Sequence, residues 1–366
     1  MFDRFSDFAY EVAAIAHEEA ASVFGVLSSL SITIESYALD SGVEWPDILV
    51  PHFEHRGRES NKLSRTLQLS LVPLVKSNER ELWDAFAVAN QGWIQEGVLA
   101  TPELHEEFLG PNLVVPTIAP NLYKVDNKTG LSEIQTGPGV DFGPGQYGPV
   151  WQQSPAPHDP SIVNFDLLTL EVFQRVYHGM WETRLPVISE VTEVSFLYEG
   201  AIKDDITHPH SFLLEPIYPK LDHTEVEDRD SVLGFIVAVL PWDAFLANLL
   251  PAQIKGITVV LHNTCGDHYT YILNGATPIY IGEGDLHESK FNYLGVETDF
   301  APFLEHEFSE KHEHCEYDFR IYPTSDFEDE YRSNAPWLYA IVVFLVFVFT
   351  ACKYLWNDTK QITKNT

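Results

Sequence analysis

The chain has 366 residues, 54 acidic and 22 basic, for a formal charge of −32, and 45% of it is apolar. So large a negative excess excludes a protein that works by neutralising a nucleic-acid backbone, because its field repels the polyanion. With 23 Phe, 16 Tyr and 8 Trp there is ample surface to bury against chain entropy, which excludes an intrinsically disordered chain and leaves a length typical of two to three domains.

In chain order, Phe5, Phe8, Val12, Ile15, Glu19, Val23, Val26, Leu30, Ile34 and Tyr37 step by three and four with no proline before Pro46, which predicts a long helix. Its length of about 50–60 Å points to a stalk or a dimer seam; two shorter helices broken near Gly25 are the alternative. DILVPHF and LQLSLVPLV then read as short strands, and a second helix is expected over Ser77–Glu96, capped by Ser77 or Asn78 with Glu79 and Glu81 in its first turn. Asn127-Lys128-Thr129 is a sequon, glycosylated only in a secretory lumen. Residues 137–160 hold five Gly and six Pro, which forbids regular helix and limits strand to edges. Tyr147 and Trp151 within that stretch argue for an ordered loop over a domain surface. A helix over Asp166–Thr183, a strand in VTEVSFLYEG and an acidic loop TEVEDRDS follow.

Val232–Trp242 reads as a buried strand and WDAFLANLLP as a short helix stopped by Pro251. GITVVLHNTC, HYTYILNGATPIYIGEG and EYDFRIYP read as further strands, with a turn at Asn274-Gly275. One short helix between antiparallel strands describes an α+β sensor module of the PAS type. Other small α+β folds share that pattern.

Of the three cysteines, Cys265 and Cys315 form either one disulfide in an oxidising compartment or two unrelated buried thiols. No glycine-rich phosphate loop, Gly-x-Ser-x-Gly elbow or CxxC pair is present. His306, His312 and His314, beside Cys315, are weak candidates for a zinc or copper site, and a metal-dependent hydrolase built on them is the least favoured function. His208 and His210, and His52 and His55, are weaker still, and Gly282–His287 reads as a tight turn before it reads as a carboxylate–imidazole pair. Trp151, Asn164 and Asp166 combine an aromatic wall with polar groups and form the candidate ligand pocket.

Eighteen residues without formal charge, Ala335–Cys352, extend in apolar character to Trp356, enough for a helix of about 30 Å with aromatic residues at both ends. The charge divides there into −34 before Ala335 and +2 from it onward. The Lys bias of the C-terminal flank predicts a cytoplasmic C-terminus, with residues 1–334 extracytoplasmic. MFDRFSDFAYEV has no signal-peptide pattern, so a tail-anchored structural or interaction protein facing the cytosol is the competing expectation, unless the true start lies upstream.

The runs LVPLVKSNERELWDAFAVANQGWI, GPVWQQSPAP with Asn164-Phe165-Asp166, LGFIVAVLPWDAFLANLLP with GITVVLHNTC, YILNG with IGEGDLH, and CEYDFRIYP before a span resemble the sensory ectodomain of diatom receptor-type adenylate or guanylate cyclases, over most of residues 2–350. That ectodomain is similar to the CHASE class, a stalk helix with two PAS-like lobes. The resemblance implies an ectodomain between two spans with a class III cyclase after the second. Here KYLWNDTKQITKNT follows Cys352, which cannot hold the metal-binding carboxylates or the transition-state Arg of a cyclase, so no enzymatic activity and no cofactor are expected of this chain.

The expected fold class is α+β: a stalk helix over 1–45, a membrane-distal PAS-like lobe over 46–230, a membrane-proximal PAS-like lobe over 231–334, a transmembrane helix over 335–356 and a cytoplasmic tail over 357–366. The expected partners are a small-molecule ligand, the bilayer and a second copy of the chain paired along the stalk, with no nucleic acid.

Overall fold

Phe2–Ser41 is one continuous helix of 40 residues, α1, about 60 Å long at 1.5 Å per residue. The computed structural model describes residues 2–110, 112–125, 132–135, 139–140, 146–192, 208–221, 232–300, 315–331 and 335–362. Gly25 is exposed, with open space where a Cβ would stand, so it does not break the helix. The buried stripe of α1 includes Phe5, Ala9, Val12, Ala16, Ala20, Val23, Leu27, Leu30, Ile34 and Ala38, whereas Phe8, Ile15, Glu19, Val26 and Tyr37 of the expected stripe are half-buried. Alanines take the closest positions because a short side chain lets the helix backbone approach the sheets. This stripe is covered by the chain's own helix over Phe53–Ser64 and by strands of both sheets.

Next come α2 (Phe53–Ser64), β1 (Gln68–Pro73), β2 (Val75–Lys76), α3 (Arg80–Ala89), α4 (Gly92–Ala100) and α5 (Pro102–Leu109). Two expectations fail here. DILVPHF is not a strand: Val50 is held by the side chain of Gln152, which accepts from Val50 N at 2.7 Å and donates to Val50 O at 2.9 Å, as a neighbouring strand would. The helix expected over Ser77–Glu96 is two helices. It starts at Arg80 with Glu79 at its cap, and it stops where the Asn90 side chain bonds the carbonyl of Phe86 at 2.8 Å.

The chain continues through β3 (Tyr123–Val125), β4 (Ser132–Ile134), β5 (Gln146–Tyr147), β6 (Gln153–Ser154), α6 (Glu171–Thr183), β7 (Val187–Ile188), β8 (His210–Ile217) and β9 (Gly234–Pro241). The helix expected from Asp166 begins five residues later, after a single 3-10 turn over Leu167–Thr169. Most of VTEVSFLYEG and all of TEVEDRDS lie outside the described residues. The first sheet has the antiparallel order β6-β1-β9-β8-β7. Gly234–Pro241 is the central strand of this sheet.

After α7 (Trp242–Leu246) come β10 (Lys255–Asn263), β11 (His268–Asn274), β12 (Thr277–Glu283), β13 (Val296–Asp299) and β14 (Tyr317–Pro323), in the antiparallel order β12-β11-β10-β14-β13. β11 and β12 form the expected hairpin, with Gly275 at φ 65° in its turn.

Every residue of β8 and β9 is buried, because the first sheet is covered on both faces. Phe212, Leu214, Phe235 and Val237 pack with Phe173, Tyr177 and Met180 of α6; Leu213, Ile236 and Ala238 belong to the larger core that α1 closes and that continues into the second sheet. β14 alternates buried and half-buried, as expected of a sheet with one covered face. The fold is therefore α+β, with a long N-terminal helix and two antiparallel sheets.

The start of α1 meets a short helix just before the last one. α8 (Ser325–Tyr331) packs Phe327 against Phe5 and Phe8 at centroid distances of 6.0 and 6.1 Å, and Tyr331 lies 5.9 Å from Phe8 with the Arg4 guanidinium over its ring. Beyond it runs α9 (Ala335–Ile362), whose large apolar side chains from Trp337 to Phe349 are 40% to 75% exposed. By length and composition α1 is long and apolar enough to cross a membrane, and the apolar stretch Trp337–Lys353 of α9 is shorter. Their surroundings differ: α1 is half covered by protein, whereas α9 presents apolar surface on all sides.

Candidate functional site

The three residues singled out from sequence come together in the layer covering the first sheet, and they do so as core. Trp151 is fully buried, donates its indole N–H to Ile48 O at 2.7 Å, and meets Trp83, Phe86 and Trp93 at centroid distances of 5.3, 5.7 and 5.8 Å. Asn164 is fully buried at φ 70°, accepts from Trp83 Nε1 at 3.1 Å and donates to Ala119 O at 2.8 Å. Asp166 accepts from Gly148 N at 2.9 Å, Leu168 N at 3.2 Å and Gln135 Nε2 at 3.1 Å. Burial pushes its carboxyl up to about 6 against these three donors. Their polar atoms thus bond the chain itself, and the trio acts as an internal frame. Trp83, which touches both Trp151 and Asn164, joins that frame; the sequence signals it only as a large apolar residue on a helix.

A second buried carboxyl, Glu54 on α2, gave no sequence signal of its own. It accepts from Ala156 N at 2.9 Å through Oε2, while Oε1 is buried without a hydrogen-bond partner. Burial is the main cause that pushes it up to about 7. Two glycines permit this packing: a Cβ on Gly97 would stand 2.7 Å from Ala156 Cβ, and one on Gly57 would stand 2.3 Å from Ser154 Cβ.

The lobes meet along a directed hydrogen-bond chain. Trp242 Nε1 donates to Ser211 Oγ at 3.0 Å, Ser211 Oγ lies 3.0 Å from Tyr317 Oη, and Tyr317 donates to Ser189 O at 2.7 Å. With Tyr317 committed to the carbonyl, Ser211 donates to it. Beside this chain lies a crevice lined by Val172, Arg175, Ile188 and Glu190 of the first lobe and by the Cys265–Cys315 bridge of the second. The two cysteines are joined across a Cα separation of 5.5 Å, as the disulfide expectation has it, and Cys352 is free and exposed. Glu190 and the two sulfurs lie within 4.8 Å of one another, but the sulfurs are engaged in their own bond and Arg175 pairs with Glu190.

The remaining candidates are dispersed. His306, His312, His314 and Asn127 lie outside the described residues. His52 pairs with Glu96, and His55 takes a hydrogen bond from Arg58. His208 pairs with Asp243, and His210 bonds the backbone of His208. Gly282 and Glu283 end β12, and the chain then bends at Gly284, with both glycines at positive φ, bringing Asp285 and His287 together; the imidazole stacks on Tyr322 of β14 at 3.7 Å. None of these groups places a nucleophile beside a base among the described residues. Compared with known proteins, the chain matches no family model and no curated sequence.

Proposed function

We propose that the chain is the extracytoplasmic sensing region of a membrane receptor of the nucleotide-cyclase kind, anchored through α9 and without catalysis of its own. The observation that carries this reading is the junction at which Phe5 and Phe8 of α1 rest on Phe327 and Tyr331, immediately before an apolar helix exposed on all sides. A helix with no apolar partner is stable in a bilayer core, and Trp337 and Tyr339 stand where an interfacial belt would hold them. The two antiparallel five-stranded sheets on one helix support two PAS-like lobes, the first distal and the second next to the membrane. A small ligand closing the first lobe would displace α1, and the displacement would arrive at the Phe8–Tyr331 contact beside the span. A dimer along α1 would use its outer face, where Tyr10, Ile32 and Leu39 are exposed.

Expression in a secretory-competent cell tests the topology. Glycosylation at Asn127 and protease protection of residues 1–334 in sealed vesicles are the expected results. Cytosolic accessibility of that region, with Asn127 unmodified, would establish the tail-anchored interaction protein instead.

A further inference from the structure

The seam between α1 and β8 contains two carboxyl groups that no other part of the fold explains. Glu35 on α1 is 1% exposed and Glu215 on β8 is 5% exposed. Glu35 Oε1 accepts from Tyr218 N at 2.8 Å and lies 3.3 Å from Ser31 Oγ, which donates to Pro216 O at 2.8 Å. Glu215 takes a hydrogen bond from Ser28, yet its Oε2 is buried with no partner. Ser28, Ser31 and Glu35, at helical spacings of three and four, therefore form a polar notch in an otherwise apolar stripe, facing the end of one strand.

We propose that Glu215 is a proton-binding site: one proton from solvent, carried on its buried carboxyl beside Glu35, fastens α1 to the first sheet. Two neighbouring carboxylates withdrawn from water cannot both ionise without a large penalty. Glu35 Oε1 already has a backbone N–H donor in Tyr218. Glu215 lacks a donor at Oε2, and protonation there supplies an O–H in place of an unpartnered acceptor. Tyr218, on the same strand run, donates its hydroxyl to Arg184 O, and the Arg184 charge acts on Tyr218. β9 presents Phe235, Ile236 and Val237, and β7 presents Val187 and Ile188, none of them titratable. Burial, then the charge of Glu35, pushes Glu215 up to about 8. Folding thus raises its proton affinity, so the stabilisation is complete below the ordinary carboxyl range and is lost as pH rises through about 8. The proton site stands without the sensor reading; only its effect on signalling, by loosening α1 from the first lobe, rests on that reading.

The test uses the full chain in detergent micelles and needs no knowledge of topology or ligand. Infrared difference spectra of wild type minus Glu215→Gln should show, at pH 7, a protonated-carboxyl C=O band that vanishes on titration to pH 9. Between those pH values the wild-type melting midpoint should fall by about 2 °C more than that of Glu215→Gln. Glu35→Gln removes the neighbouring charge that helps hold the proton on Glu215, so the band should disappear at lower pH than in wild type; a band that persists to higher pH overturns the proposal. Absence of the Glu215-dependent band at pH 7, or equal pH dependence in wild type and Glu215→Gln, overturns the proposal. Loss of the band at pH 7 on adding calcium would overturn it too, by showing that the oxygens hold a cation instead.

Discussion

The indole N–H of Trp83 ends on the carboxamide oxygen of Asn164, 3.1 Å away, and Asn164 reaches it from a left-handed backbone with φ of 70°. Asn164→Ala removes both side-chain bonds and places a less tolerant residue at that φ, so a loss of about 3 kcal/mol is expected in urea unfolding. Asn164→Gly loses the same bonds but tolerates the backbone, and should recover about 1 kcal/mol of that loss. Equal losses in the two variants would show that φ carries no cost here.

Tyr317→Phe keeps the ring beside Trp242 and deletes only the hydroxyl between Ser211 and Ser189. A cost of about 1–2 kcal/mol is expected, because Ser211 loses an acceptor and a buried carbonyl loses its donor. The informative measurement is calorimetry: if this hydroxyl couples the lobes, the single transition of the wild type broadens or splits in the variant.

Gly97→Ala forces a methyl group within 2.7 Å of Ala156 Cβ. Overpacking of this kind costs about 1–3 kcal/mol, and Ala156→Gly in the same chain should restore most of it. A double variant no more stable than Gly97→Ala would place the clash elsewhere.

Glu54 gives a pH dependence of its own. Its carboxyl is raised in the folded state to about 7, so the stabilisation it confers is fully present below its ordinary range near 4.5 and disappears as pH rises through about 7. Melting midpoints of Glu54→Gln should therefore fall less than those of wild type between pH 5 and 7.5, with curves that run parallel above that interval.

Reduction of the Cys265–Cys315 bond releases a loop of 50 residues and should lower stability by about 4 kcal/mol in the chain-entropy account. Peptide mass spectrometry without reductant checks the pairing, and melting with and without a phosphine reductant checks the cost.

Much of this architecture is legible in the sequence where a strong local signal coincides with a tertiary need. The three-and-four spacing of α1, the Asn274-Gly275 hairpin and the isolated cysteine pair are of this kind. α2 was missed because FEHRGRESNKLS buries Gly57, Asn61 and Ser64, so its contact face has no apolar period to detect. The place of β9 is not legible, because it follows a long excursion and returns to the centre of a sheet begun at Gln68, and no local pattern encodes a pairing of Leu69 with Ala238. Trp151, Asn164 and Asp166 are legible as unusual, but their internal hydrogen-bond partners are not, since a polar side chain near a tryptophan has the same sequence whether its partner is a ligand or a backbone amide. Glu54 and Glu215 left no trace among 54 acidic residues, because burial alone distinguishes them.

The position of α1 also bears on how the chain is made. His17 bonds the backbone of Asp299, 282 residues later, and Phe5 waits for Phe327. During synthesis the Ala-rich stripe has no strand to cover it until β8 and β9 have emerged, and its first turns stay bare until α8 is complete. Contacts of such separation make for slow folding and a long interval in which apolar surface is open to other chains. α1 is made well before the strands that bury most of its stripe, so part of its apolar surface stays open until they emerge.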